Sequence, residues 1–345
     1  MIELESIENR MHFASDNNSG VLPEILAAIP LINNGHMDAY GRDPITKLAT
    51  KEIKRCFGED VKSYFVFNGT AANVAALSSI CKSYEAIICS EHSHIHWDEC
   101  GAPEVMGRTK LLLCPSKDGK LSIDEIKKKL IRKGDPHCVQ AKVVSVTQPT
   151  ELGTLYSLKE LKAIGDFCKE HGLFFHMDGS RLANAAAALD CSLKAITKDI
   201  GLDLLSFGGT KNGLMLGEAV VFFNPSIGKD FLFYRKQFLQ LAGKMRFISI
   251  GFYVWLKNDL WLKYAKQENQ MALDLAEKIQ THFKITQKTS VNSVFAIIPK
   301  EHLKRIRKKF FFYVWNENTN ECRLMTSFDT KPSDIEEFEK CILEK

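Results

Sequence analysis

The sequence predicts an α/β protein built on a mostly parallel sheet, and three stretches carry that prediction. Residues 173–177, LFFHM, form a short apolar run of the kind that makes a strand buried on both faces. The run ends on Asp178-Gly179-Ser180-Arg181 and leads into an alanine-rich segment that reads as a helix. Residues 203–207 read as a second strand, which spills into the glycine-punctuated Gly208-Gly209-Thr210-Lys211. Earlier, the strand 64–67 passes through Asn68-Gly69-Thr70 into the helical AANVAALSSIC. Strand, turn and helix in repetition are the mark of parallel βαβ units. In open parallel sheets ligands collect outside the carboxyl ends of the strands, and an acid, an arginine and a lysine stand there.

Composition narrows the function classes. At 345 residues the chain is long enough for one large α/β domain and a smaller one. Its 45% hydrophobic and 26% charged residues are those of an ordinary globular protein, and a net charge of +4 makes no case for nucleic acid. Ten cysteines occur with no C-x-x-C pair, which indicates neither a zinc ribbon nor a disulfide scaffold and fits a reducing cytoplasm. The opening MIELESIENRMHF is acidic and has no apolar core, unlike a signal peptide. The longest apolar stretch, 247–256, is too short to span a bilayer. These features predict a cytoplasmic protein without membrane or nucleic-acid partners.

In chain order, residues 13–50 combine polar turn residues, a proline-initiated helix and a loop at 33–44. They offer little core of their own and read as an arm that packs across a partner subunit. The strand–Gly69-Thr70–helix junction leaves backbone N–H groups and a positive dipole end pointing outward, as a phosphate site requires. After the strand 86–89, His92, His94 and His96 alternate in SEHSHIHWDECGAPE. The dinuclear-hydrolase pattern is not completed, Glu99 standing where its last histidine belongs, and no metal is expected. Residues 123–133 read as a charged surface helix, 141–147 as another buried strand ending on Gln148, and 219–223 as the strand that closes the sheet. A long helical region spans 231–270 and contains LAGKMRF. Beyond residue 250 the pattern becomes helix, strand, helix, strand, helix, with strands at 294–298 and 310–315, which suits a small α+β domain.

The central residues suit one cofactor. Pyridoxal phosphate needs a lysine for its aldehyde and a carboxylate against its ring nitrogen. Lys211 and Asp178 are of those types, although alone Asp178 reads equally as a helix cap and Lys211 as a loop lysine. HMDGSRLANA followed by DLLSFGGTKNGLMLGEAVVFF resembles the low-specificity L-threonine aldolases, a fold-type I family dependent on pyridoxal phosphate.

The resemblance implies an N-terminal arm (1–45), a large cofactor-binding α/β domain (46–247) with a mostly parallel seven-stranded sheet, and a small α+β domain (248–345). It also implies roles. Lys211 carries the cofactor, Asp178 pairs with the ring nitrogen, and Arg181 bonds its phenolic oxygen. Gly69 and Thr70 cradle the phosphate, and His94 lies flat on the ring with Glu99 nearby. Ser15 and Arg323 hold the substrate carboxylate. Tyr40, His36 and Asp43 lie near the site on a loop that completes a neighbour's site, and Arg246, beside Lys244, reaches a neighbour's phosphate. Many of these aldolases carry a candidate histidine base near residue 150. This sequence has none there, so the base stays open and Gln148 reads as a donor near the cofactor oxygen. The implied activity is cleavage of L-threonine, L-allo-threonine and other β-hydroxy-α-amino acids to glycine and an aldehyde. The implied assembly is a homodimer or homotetramer with shared active sites. A β-eliminating amino-acid lyase on the same scaffold is the alternative.

Overall fold

The computed structural model describes residues 11–344. The acidic opening segment, residues 1–10, lies outside them.

Seven strands build the main sheet: β1 (Lys62–Val66), β2 (Glu85–Ser90), β3 (Lys110–Cys114), β4 (Gln140–Thr147), β5 (Phe174–Gly179), β6 (Leu204–Phe207) and β7 (Glu218–Phe222). Their order is β1-β7-β6-β5-β4-β2-β3, parallel except for β7, which runs antiparallel to β1 and β6. The mostly parallel seven-stranded sheet expected from the sequence is therefore present. Its central strands β5 and β6 are buried at every residue but Phe174 because helices cover both faces.

Local chemistry sets the helix starts. Asn68 caps the helix Gly69–Ile80 by accepting from Ala71 N at 2.9 Å, and Asp43 caps Pro44–Phe57 through Thr46 N at 2.8 Å. Ser157 and Glu160 form a capping box on the helix Leu158–His171. The charged helix expected over 123–133 ends at Lys127, and the chain then turns through Arg132 and Gly134, both with positive φ. The long helical region resolves into the helices Phe231–Gln237, Arg246–Lys257 and Leu260–Gln280.

Four short antiparallel strands form the second sheet, in which Ser293–Ile297 pairs with Glu321–Met325 and Lys284–Ile285, and Glu321–Met325 pairs with Tyr313–Asn316. The single strand expected over 310–315 is two strands, broken at Phe312, whose side chain is fully buried. Its first part, Phe310–Phe311, pairs in parallel with Met11–His12. The expectation that the arm contributes little core is corrected by this packing. Phe13 joins the core of the second sheet, while Leu22 and Ile25 enter that of the main sheet. The expected boundary at 247/248 falls inside the helix Arg246–Lys257, whereas the cores divide along Leu260–Gln280, between Ala265 and Met271.

Candidate active site

A cavity of about 270 Å³ opens where the parallel strands end, lined among others by Gly69, Thr70, Asn73, His94, Asp178 and Lys211. Three adjacent strands end here in register, with Thr147 on β4 opposite Asp178 on β5 and Asp178 opposite Ser206 on β6. Gly208 lets the chain leave β6 toward Lys211, since a β-carbon there would overlap the Ser180 main chain.

Asp178 is 3% exposed. Its Oδ1 accepts from Ser180 N at 3.0 Å and its Oδ2 from Asn73 Nδ2 at 2.8 Å. Burial would raise this carboxyl, but the His94 ring and the Ser180 and Asn73 hydrogen bonds hold it below its ordinary value, so it is ionised. Asn73 Nδ2 also donates to Glu99 Oε1 at 2.8 Å, and that oxygen lies 3.0 Å from His94 Nδ1. Burial lowers His94, yet the Glu99 hydrogen bond and the Asp178 charge leave it above the usual imidazole value. Glu99 itself is raised by burial. A second carboxyl fixes the same histidine from its main chain: Glu151 Oε1 accepts from His94 N at 2.7 Å and Thr147 Oγ1 at 2.8 Å, and burial lifts Glu151 to about 7. Among the described residues His94, Glu99 and Asp178 are the group whose metal-type ligand atoms come within 4.8 Å of one another, and Asn73 Nδ2 bridges its two carboxylates.

The Lys211 amine is held below its ordinary value by burial first and the Arg181 guanidinium second, against the pull of Asp16, Asp178 and Glu218. A lowered amine is the nucleophilic form of lysine. Glu218, pushed up to about 7 by burial, accepts from Gly209 N at 2.5 Å beneath the lysine turn.

The sequence profile of the beta-eliminating lyase family matches residues 12–301. The chain belongs to that family. It is 40% identical over 334 residues to the low specificity L-threonine aldolase of Pseudomonas sp. (strain NCIMB 10558), covering 96% of each chain. The same identity holds over 338 residues with the low specificity L-threonine aldolase of Pseudomonas aeruginosa, covering 97% of this chain and 98% of that one. Among solved structures, the threonine aldolase of Leishmania major superposes with a TM-score of 0.92 at 29% identity, over 96% of this chain and 98% of that one. The resemblance read from the sequence is thus borne out.

The residues of this site fit pyridoxal phosphate. Asp178 offers a buried anion for a ring N–H⁺, and Lys211 offers a lowered amine. The N-terminus of the 12-residue helix Gly69–Ile80 faces the cavity, with open space around Gly69. Glu99 Oε2 and Asn73 Oδ1 are buried there without a partner among the described residues.

Of the residues singled out by sequence, Gly69, Thr70, His94, Asp178 and Lys211 come together around the cavity, with Glu99. The others lie apart from its lining. Arg181, expected on the cofactor's phenolic oxygen, pairs with Asp16 through Nε at 2.6 Å and Nη2 at 2.8 Å. Ser15 caps the turn Asp16–Asn18. Gln148, expected to donate to the cofactor, is fully buried, with Oε1 and Nε2 committed to the main chain of Tyr156; it supports its loop. The Arg323 guanidinium stacks 4.5 Å from the Trp315 ring centre, and burial with the nearby Arg181 charge pushes it down to about 10. Arg246 starts its helix with a buried, unpartnered Nε, and Lys244 is exposed. Tyr40 is 48% exposed under Lys236, His36 is exposed, and Asp43 is the helix cap already described.

Sequence reasoning missed Asp16, Asn73, Glu151 and Glu218. Asn73 was within reach, standing one helical turn past Gly69 and so facing the same way.

Proposed function

We propose that the protein cleaves the Cα–Cβ bond of β-hydroxy-α-amino acids, L-threonine and L-allo-threonine among them, to glycine and an aldehyde, using pyridoxal phosphate held at Lys211. The lowered Lys211 amine, sharing one cavity with the ionised Asp178, is the observation that carries this reading. Relatives 40% identical over nearly their whole length are named low specificity L-threonine aldolases, which selects this reaction over other lyase chemistry.

Bound in the cavity, pyridoxal phosphate supplies an electron sink for the pair released from the Cα–Cβ bond. Asp178 would keep the proton on the ring nitrogen, and the main-chain N–H groups at Gly69 and Thr70 would take the phosphate. Arg323 and Ser15, outside the cavity lining, would orient the substrate carboxylate as the resemblance implies. His94, held by Glu99 through the side chain and by Glu151 through the main chain, would stack on the ring. The raised imidazole and the raised Glu99 carboxyl form a pair able to hold the β-hydroxyl proton between them.

The proposed assembly is a homodimer or homotetramer with shared sites. Leu31, Phe233 and Leu239 are at least 69% exposed and suit a subunit interface, which would bring Tyr40 and Arg246 to a neighbour's cavity. Ten cysteines, all unpaired thiols, suit the cytoplasm. No helix among the described residues is long and apolar enough to cross a membrane.

The test is an assay of glycine release across several β-hydroxy amino acids with cofactor present. Ammonia and an oxo acid in place of glycine would put the chain with the β-eliminating enzymes, and no product from any of them would refute the reading.

A further inference from the structure

Glu268 sits near the middle of the helix Leu260–Gln280 with none of its surface exposed. A carboxyl buried so completely is costly unless its neighbours satisfy it, and burial drives it well above its ordinary value. Two asparagine amides serve it. Asn212 Nδ2 reaches Oε1 and Oε2 at 3.2 and 3.1 Å, and Asn184 Nδ2 reaches Oε2 at 2.6 Å.

Each contact ends beside a residue of the site. Asn212 directly follows Lys211 in the turn Thr210–Asn212, is 1% exposed, and accepts from Trp255 Nε1 at 3.0 Å, so its amide is held at both ends. Glycines flank this turn at 208, 209 and 213; they permit its backbone without fixing it, and the fixing falls to Asn212. Asn184 donates its main-chain N–H to the Arg181 carbonyl at 3.0 Å. The Glu268 carbonyl accepts from Thr326 Oγ1 at 2.7 Å, immediately after the strand Glu321–Met325 that carries Arg323. Asn292 Nδ2 then joins the Thr326 carbonyl at 3.0 Å to Asp16 Oδ2 at 3.1 Å.

We propose that Glu268 is a positioning residue whose carboxyl fixes the Lys211 turn through Asn212, on a helix whose main chain also holds the Arg323 strand through Thr326. The inference rests on Lys211 being the cofactor lysine, as proposed above. Oε2 alone accepts from both asparagine amides, so glutamine, of the same shape, can keep both links through its one amide oxygen and is the conservative replacement.

The experiment uses the full chain and compares Glu268→Gln, Glu268→Ala, Asn212→Ala and the double variant Glu268→Ala/Asn212→Ala. Two quantities are read without any amino-acid substrate: the affinity for pyridoxal phosphate, and the pH midpoint of the visible band of cofactor bound at Lys211. Glu268→Ala is expected to weaken affinity about tenfold, the lower end of what removing a ligand's supporting partner costs, and to move the midpoint. Glu268→Gln stays close to wild type in both. Asn212→Ala repeats the loss, and the double variant is no worse than either single one, because both act on one link. A folded Glu268→Ala chain with unchanged affinity and midpoint, or losses that add in the double variant, would overturn the proposal. If Glu268→Ala does not fold, Asn212→Ala decides alone: a moved midpoint supports the link and an unmoved one overturns it. A wild-type chain that binds cofactor at Lys211 but releases no glycine refutes the proposed reaction and leaves this inference standing. Cofactor absent from Lys211 in the wild type removes both.

Discussion

Replacing Asp16 by alanine should be among the most damaging single changes outside the apolar core. Asp16 is 1% exposed and accepts Arg181 Nε at 2.6 Å, Nη2 at 2.8 Å and Asn292 Nδ2 at 3.1 Å. Removing one partner of a buried ion pair strands the other charge and costs about 3–5 kcal/mol. The Arg181 side chain keeps 19% exposure, so water relieves part of that penalty and the lower end, about 3 kcal/mol, applies. The lost Asn292 hydrogen bond adds about 1 kcal/mol, for a total near 4 kcal/mol. Urea unfolding of the wild type and of Asp16→Ala at neutral pH measures the difference, and Asp16→Ala/Arg181→Met should recover much of it by removing the stranded charge. The pH dependence carries the same signature. Burial would raise the Asp16 carboxyl, but Arg181 holds it below its ordinary value. A lowered carboxyl stabilises the fold above the unfolded value of about 3.9 and loses that contribution as pH falls through the folded value. The wild type should therefore lose stability below about pH 4 more steeply than Asp16→Ala. A loss under about 1 kcal/mol, the scale of an exposed pair, would refute the reasoning, as would a double variant no more stable than Asp16→Ala.

Three further outcomes are expected. Lys211→Ala should leave no borohydride-reducible cofactor adduct and reduce turnover by orders of magnitude; an adduct that persists by mass spectrometry would move the search to Lys244. His94 is raised, so the acid limb of kcat/KM should lie above the imidazole value of about 6.5. His94→Asn should flatten that limb while keeping cofactor bound, whereas full activity and an intact limb in His94→Phe would leave the ring a stacking partner only. Mixing inactive Lys211→Ala and Arg246→Ala chains should restore part of the activity through hybrid sites, and no recovery despite demonstrated subunit exchange would count against shared sites.

The sheet was legible because its strands are short apolar runs and its turns carry glycine and capping residues at fixed offsets. Residues 173–177 and 203–207 pointed at the site for the same reason: the first run leads directly to Asp178 and the second, through Gly208-Gly209-Thr210, to Lys211, both at the sheet's carboxyl end. The arm was misread because its apolar residues, Phe13, Leu22 and Ile25, are scattered among polar turns, and they pack on elements hundreds of positions away. Gln148 was misread because a glutamine at a strand end looks the same whether its amide faces a ligand or its own loop.

What no local pattern revealed is the chain of charges behind the lysine. Arg181 lowers the Lys211 amine, and Asp16 opposes it both directly and by pairing with Arg181. The two partners stand 165 positions apart in sequence. Losing the Asp16 carboxylate would thus destabilise the fold and at the same time push the Lys211 amine lower. The two effects are separable, since the first is read in unfolding and the second in the pH midpoint of cofactor bound at the lysine. In Asp16→Ala both should move, while in Asp16→Ala/Arg181→Met the two opposing charges leave together and the midpoint should return toward that of the wild type. Recovery of stability without recovery of the midpoint would mean that burial alone sets the amine, and that the ion pair serves only to hold the arm against the sheet.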